Sequence, residues 1–469
     1  MRKFNKMAML MIPLLLTSCG SRKPEYTGNN IVVKPAANIQ EGSFKLSAIS
    51  KPPTKTHMEP KEIVENTPIV SPYAESLSVS KQKIYSEMLG TVIIGGKNYI
   101  PSEKMNVDDL KGMLRIIMLD EPRAYALKKQ YTYILDSNKN VKEVIFSYSP
   151  YLLNKKAKEE YKKLIKLGSS SEDNELKLAY KTFGDLSKTF VRDEVQTKQL
   201  LKALSTEEGQ DLSPEEEESL YTNHLEKFKE DIKDTIFGAY YLEKPTEEAM
   251  TKAFNAGLRE HSVSAIAMYG ERTSDFKSDN LTVNKFTGYR EIEEKVERGV
   301  RVTINTSGIN SWNMFKVDDS WYHGDIVISR AVDERLKDKG FPEKYYGFGM
   351  SDRESAISKL SFYNEDILGV CPMSYDDLAS SLRDDRSVAF IENSTTARLS
   401  DDLGKMIADK TINRKALIVA FSQVDVFDSF VLSKDMLLSK YFEQKIIDYS
   451  EYKTLVVPEI QAVFFFDLK

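Results

Sequence analysis

The chain has 469 residues, of which 41% are hydrophobic and 29% charged. That composition suits a globular body of two or three domains and excludes a wholly disordered or collagen-like chain. A net charge of −5 with no long basic run argues against nucleic acid as a partner. The two cysteines, Cys19 and Cys371, are too few for a disulfide scaffold.

The N-terminus carries Arg2, Lys3 and Lys6, then an apolar run from Met7 to Leu16, then small residues before Cys19. This is the charge, apolar core and cleavage-site order of a secretory signal. The run is too short to cross a hydrocarbon core of about 30 Å as a helix. Leu16, Thr17, Ser18 and Cys19 resemble the bacterial lipobox, in which the cysteine is lipidated and becomes the new N-terminus. The expectation is a signal peptide over 1–18 and an exported protein held to a bacterial membrane by lipid on Cys19. An ordinary signal with an incidental cysteine is the plainer alternative. Residues 19–80, with Pro24, Pro35, Pro52, Pro53, Pro60, Pro68 and Pro72 and no apolar period, read as a flexible stalk.

Helical patterning follows over Lys81 to Leu89 and Val107 to Leu119, with Asn106 and Asp108 as cap residues. Tyr131, Tyr133 and Leu135, a polar turn over 136–140, and Val144, Phe146 and Tyr148 alternate as a β-hairpin. From Leu152 to about Leu258 the chain reads as helical. Ser213 before Pro214 and the acidic run Glu215 to Glu218 mark a helix start better than a calcium loop.

Beyond His261, the runs Val263 to Met268, Val300 to Ile304, Trp312 to Val317 and Trp321 to Ile328 read as consecutive strands of one antiparallel sheet. The tail alternates: helix from Tyr375 to Leu382, strand from Val388 to Ile391, helix from Leu399 to Lys410 and strand from Ala416 to Phe421. A helix from Lys434 to Ile447 and an apolar stretch from Val456 to Phe466, read as a strand, close it.

The segment 307–325 carries the chemistry. Trp312, Asn313, Lys316, Asp318, Trp321, Tyr322, His323 and Asp325 are similar, in register, to the histidine and aspartate half of the transglutaminase-like superfamily, written H-x-W-N, a short strand, then D-G-x-W-Y-H-x-D. Tyr345 to Asp352 resembles the turn that follows the aspartate, and Leu110 to Tyr148 the region ahead of the catalytic part. The resemblance implies an α+β fold: a transglutaminase-like, papain-like antiparallel sheet packed with helices, plus small N-terminal and C-terminal α/β units. The expected domains are 81–170 (helix and hairpin), 171–258 (helical), 259–373 (sheet) and 374–469 (C-terminal α/β).

Active members pair a thiolate nucleophile with a histidine base and an orienting aspartate. Their cysteine lies in C-x-G-Y-A. Here the segment 285–290 fits at Gly288 and Tyr289 but has Phe286 at the cysteine position, and Asn310 stands at the histidine position. A phenyl ring forms no thioester and an amide is no general base. Only Asp325 of the triad remains, which implies a catalytically dead module acting in binding of a protein, peptide or cell-wall component. Tyr289, Trp312, Trp321, Tyr322 and His323 are candidate groove residues, with a core role as the plainer reading of the tryptophans.

Two other readings stay open. One is a cysteine-dependent peptidase or amide-transfer enzyme using Cys371, in Gly369-Val370-Cys371-Pro372, with His323. The other is a structural component of an envelope assembly. A lone cysteine is more often a small buried hydrophobe. His224 and His261 read as structural, and no histidine pair has ligand spacing, so neither metal nor cofactor is expected.

Overall fold

The computed structural model describes residues 26, 27, 30, 31, 68, 70–168, 174–188, 193–206, 212–272, 290–306, 309–338, 346–351, 355, 359–361, 386–391, 401–411, 416–458 and 461–468. Met1–Ile39 form a unit of their own, in which Tyr26–Thr27 pair antiparallel with Asn30–Ile31. The second unit is an α+β body.

Its chain order begins with helices α1 (Pro72–Glu75) and α2 (Val79–Ile94), strand β1 (Asn98–Tyr99) and helix α3 (Val107–Arg115). Helix α3 runs into a π turn at Ile116–Asp120 and a 3-10 turn at Pro122–Ala124. The hairpin β2 (Leu127–Leu135) and β3 (Val141–Tyr148) follows. Six helices come next: α4 (Lys155–Gly168), α5 (Glu175–Ser187), α6 (Glu194–Ser205), α7 (Pro214–Ile232), α8 (Ile236–Tyr241) and α9 (Glu247–Glu260). Strands β4 (Ala265–Arg272), β5 (Arg290–Val296), β6 (Gly299–Asn305), β7 (Asn310–Val317) and β8 (Ser320–Gly324) lead to helix α10 (Ile326–Asp338). Strands β9 (Phe348–Met350), β10 (Lys359–Ser361) and β11 (Arg386–Ile391), helix α11 (Asp401–Thr411), strand β12 (Ala416–Phe421), helix α12 (Val424–Glu443) and the hairpin β13 (Lys453–Val457) and β14 (Ala462–Phe466) complete it.

A five-stranded antiparallel sheet, in the order β9-β8-β7-β4-β10, lies at the centre. Strand β7 is buried on both faces. Phe315 and Val317 point into the core of the helical section, while Trp312 and Met314 point into a second core shared with α1, α2, α3 and the hairpin. Period-two alternation in a strand covered on both sides produces this division, because successive side chains leave on opposite faces. On the helical side Phe254, Phe315, Phe183 and Phe348 form a ring cluster with centroids 5.1–5.6 Å apart.

Local signals explain the ends of several elements. Asn106 Oδ1 accepts the Asp109 N–H at 2.8 Å, capping α3. At α7, Ser213 Oγ accepts the Glu216 N–H and Glu216 Oε2 accepts the Ser213 N–H, a complete capping box with Pro214 at the first helical position. Replacing Ser213 with Ala should cost about 1 kcal/mol, read as a lower urea midpoint with unchanged slope. The β7–β8 turn places both Asp318 (φ 47) and Asp319 (φ 65) in the left-handed region, as a two-residue hairpin loop of matching twist requires.

Several expectations need correction. Residues 70–80 are not part of a stalk: Tyr73, Ala74 and Leu77 are buried in the second core, and the Tyr73 hydroxyl donates to the Ala267 carbonyl at 3.1 Å. The run Val300 to Ile304 joins a different sheet, β1-β3-β2-β6-β5, where Val302 pairs with Tyr131. It extends the hairpin by pairing antiparallel along the edge of β2 that β3 leaves free. The boundaries drawn at 170 and 258 therefore dissolve: the hairpin, helical and sheet sections share two cores. The run Trp321 to Ile328 is not one strand, since Asp325 ends β8 and starts α10.

In the C-terminal part, β11 and β12 are parallel, and β12 pairs antiparallel with β14, which pairs with β13. The expected single strand over 456–466 is a hairpin, because the Gln461 N–H closes a turn on the Pro458 carbonyl at 3.0 Å. The helix expected from Lys434 begins ten residues earlier, at Val424. Ile418, Ala420, Phe464 and Phe466 face Ile328, Val332 and Leu336 of α10, whereas Leu417, Val419 and Phe465 face α11 and α12. The expected helix over 375–382 lies outside the described residues.

Candidate functional site

Asn310, at the head of β7, is 1% exposed, and its Nδ2 donates to Glu247 Oε1 at 3.1 Å. The other oxygen, Glu247 Oε2, accepts the backbone N–H of Ser311 at 2.9 Å. Glu247 is itself 1% exposed and is the first residue of α9, whose N-cap Thr246 accepts the Ala249 N–H. A carboxylate in the first turn of a helix is favoured by the unpaired N–H groups there. Glu247 and Asn310 thus join helix to sheet.

Glu247 opens a polar ridge along α9. Thr251, Asn255 and Arg259 follow at intervals of four, which places all four on one helix face. Each meets the sheet: Thr251 Oγ1 lies 3.3 Å from Ser311 Oγ, and Asn313 Nδ2 donates to the Thr251 carbonyl and to Asn255 Oδ1 at 2.9 and 2.8 Å. Asn255 in turn donates to Asp120 Oδ1 at 3.3 Å. Arg259 pairs with Asp120 at 2.6 Å and also donates to the carbonyls of Asp120 and Ala265. Asp120 further accepts from the Ala267 N–H at 2.7 Å and from Ser71 Oγ. Buried polar groups are tolerable when partnered in this way.

Asp325 follows Gly324, the last residue of β8, which pairs with Asn313. Because β7 and β8 are antiparallel, Asp325 and Asn310 lie toward the same end of adjacent strands. Asp325 is fully buried. Its Oδ1 accepts the Ile328 N–H at 3.0 Å, its own N–H donates to Gly347, and its carbonyl accepts from Ser329. Gly347 is required by that approach: a Cβ there would come within 2.0 Å of the Asp325 carbonyl oxygen. The carboxyl acts as a helix cap.

The proposed groove residues among the described ones are packed inside. Trp312, Trp321, Tyr322 and His323 are 2, 6, 2 and 6% exposed, so they line no open groove, and that expectation is corrected. His323 Nδ1 accepts the Trp312 indole N–H at 3.3 Å, which places any ring proton on Nε2. Its pairing across from Met314 and Met350 holds it in the sheet. The aromatic spacing of 312–322 gave no sign of this, because a strand covered on both faces and a groove wall have the same pattern.

Cys19, Phe286, Tyr289 and Cys371 lie outside the described residues. Among the described residues, no group of three or more His, Cys, Asp or Glu is placed to hold a metal ion, and no helix is long and apolar enough to cross a membrane. His224 Nδ1 lies 3.0 Å from the Tyr151 hydroxyl, a structural contact between α7 and the loop after β3. The glutamates Glu215 to Glu217 occupy the first turn of α7.

Sequence reasoning missed Glu247, Asn255 and Arg259. The signal was present: four polar residues at a strict spacing of four within a helix whose other positions include Ala249, Met250, Ala253, Phe254 and Leu258. No protein-family model matches the chain, and no curated protein matches its sequence.

Proposed function

We propose that the chain is a non-catalytic, lipid-anchored exported protein whose transglutaminase-like module serves to bind a protein, peptide or cell-wall component. One observation carries the reading. The residue at the base position, Asn310, is an amide sealed from solvent and committed to Glu247. An amide cannot take a proton from a nucleophile near neutral pH. The Trp312, Asn313, Trp321 and Asp325 framework supports a transglutaminase-like sheet, since the first three pack within the sheet and Asp325 caps the helix that leaves it. Because Trp312, Trp321 and Tyr322 are interior, partner contact falls on exposed faces next to the module.

The anchor reading rests on Cys19 at the end of the apolar run. Cells producing the wild-type chain should incorporate labelled palmitate into it and retain it in the membrane fraction. A Cys19→Ser variant should lose both, and undiminished membrane retention would sink the anchor reading. Crosslinking and mass spectrometry on intact cells then test the binding role. A Cys371→Ser variant is expected to capture the same neighbour as wild type. Loss of capture with that substitution, together with iodoacetamide labelling of Cys371 in the folded wild-type protein, would favour the cysteine-enzyme reading instead.

A further inference from the structure

The geometry points to Glu247, rather than Phe286, as the residue that stands where a nucleophile would act in this module. This rests on the transglutaminase-like reading proposed above, which assigns Asn310 to the base position. A base must lie within hydrogen-bond reach of the group it activates, about 2.6–3.2 Å. Glu247 Oε1 lies 3.1 Å from Asn310 Nδ2.

Its placement has a second relevant property. Glu247 is the first residue of the 14-residue helix α9, and a thiol at a helix N-terminus is shifted toward thiolate by the free backbone N–H groups. The same N–H groups favour a carboxylate. Glutamate is therefore a replacement that the local field accepts, and asparagine complements it, since a carboxylate only accepts and the Asn310 amide can donate. The Ser311 N–H supplies the second donor, at 2.9 Å. Where a reactive pair would stand there is a structural joint, buried to 1% on both sides.

The joint also accounts for the rest of the ridge. Thr251, Asn255 and Arg259 fix α9 against β7 and the π turn, so residue 247 is delivered to the head of β7 by a rigid helix. The frame that would position a nucleophile and a base is thus in place at residues 247 and 310. Placing a cysteine and a histidine there should give an activated thiol.

The test uses the full chain with Cys19→Ser and Cys371→Ser, so that an introduced thiol is read alone. In the double variant Glu247→Cys/Asn310→His, the thiolate absorbance at 240 nm should titrate with a midpoint at least about one pH unit below that of Glu247→Cys alone, which shares the helix N-terminus but lacks the imidazole partner. Coincident titrations of the single and double variants overturn the assignment. If the double variant fails to fold by circular dichroism, Asn310→His in the otherwise natural chain replaces it. The introduced imidazole should then stay protonated above the ordinary range near 6.5, and return toward it when Glu247→Gln is added. An ordinary titration in both overturns the assignment equally. Partner capture in cells is read independently, so its failure removes the binding reading and leaves the thiol titration standing.

Discussion

Arg259→Ala is expected to destabilise the protein by about 3–5 kcal/mol, the cost of leaving a buried charge without its partner. Asp120 is 2% exposed and the Arg259 side chain 5% exposed, at a separation of 2.6 Å. Burial works against the Arg259 guanidinium, but Asp120 and Glu121 overcome it and hold its pKa above the ordinary arginine value. Truncation also strips donors from the Asp120 and Ala265 carbonyls. Urea unfolding should show a much lower midpoint at unchanged slope, a large share of a net stability of about 5–15 kcal/mol. Adding Asp120→Asn to Arg259→Ala should recover part of the loss, because the stranded charge is removed. A double variant that loses the two single costs in full would show that the pair is not coupled.

The second large effect lies at Lys129. Its ammonium bonds Asp234 at 2.8 Å, Glu248 at 2.6 Å and Thr306 Oγ1, tying the hairpin to α9 and to the residue that follows β6. Burial opposes the charged Lys129, but Asp234 and Glu248 outweigh it and raise its pKa above the ordinary lysine value. For Asp234, burial pushes upward while Lys129 pulls harder downward, and its carboxyl titrates below its ordinary value. Lys129→Met should cost about 3 kcal/mol at pH 7, the low end for a buried pair since both side chains are about one-fifth exposed.

The pH dependence has a definite sign. A depressed carboxylate adds stability that is present above its unfolded value of about 3.9 and lost as pH falls through its lower folded value. The raised Lys129 adds stability that is present below about 10.4 and lost as pH climbs through its higher folded value. The difference between wild type and Lys129→Met should therefore be flat from about pH 6 to 8 and shrink on acidification below about pH 4. A difference that stays constant down to acid unfolding would exclude the Lys129–Asp234 pair as its source.

Local sequence codes were sufficient for much of the fold. The hairpin β2–β3, the Ser213 capping box, the Asn106 cap and strands β7 and β12 were legible because turn chemistry, caps and period-two patterning act over a few residues. The stretch 312–325 was legible as a strand pair for the same reason. What it did not disclose was its surroundings. Period two is identical for a strand facing a groove and a strand covered on both faces, so the pattern alone leaves Tyr322 open to either role; burial makes it core, and Trp312 and Trp321 take the core role that is their plainer reading. Strand Gly299–Asn305 was legible as a strand, but its partner Leu127–Leu135 lies far away in sequence, and no local signal names it.

The same limit applies to the candidate site. Sequence by itself determined that an amide, Asn310, stands at the position that the proposed resemblance assigns to a base, and that Asp325 comes shortly after Trp321 and Tyr322. Those are statements about residue identity. Tertiary structure decided which residue meets Asn310, because Glu247 is 63 positions away and reaches it only when α9 is laid across the sheet. It also decided that Asp325 caps a helix, that residues 70–80 belong to the body, and that a ridge of every fourth residue on α9 is polar because it seams helix to strand. Identity is written in the chain; proximity between distant segments is set by burial and by the pairing of polar groups that burial enforces.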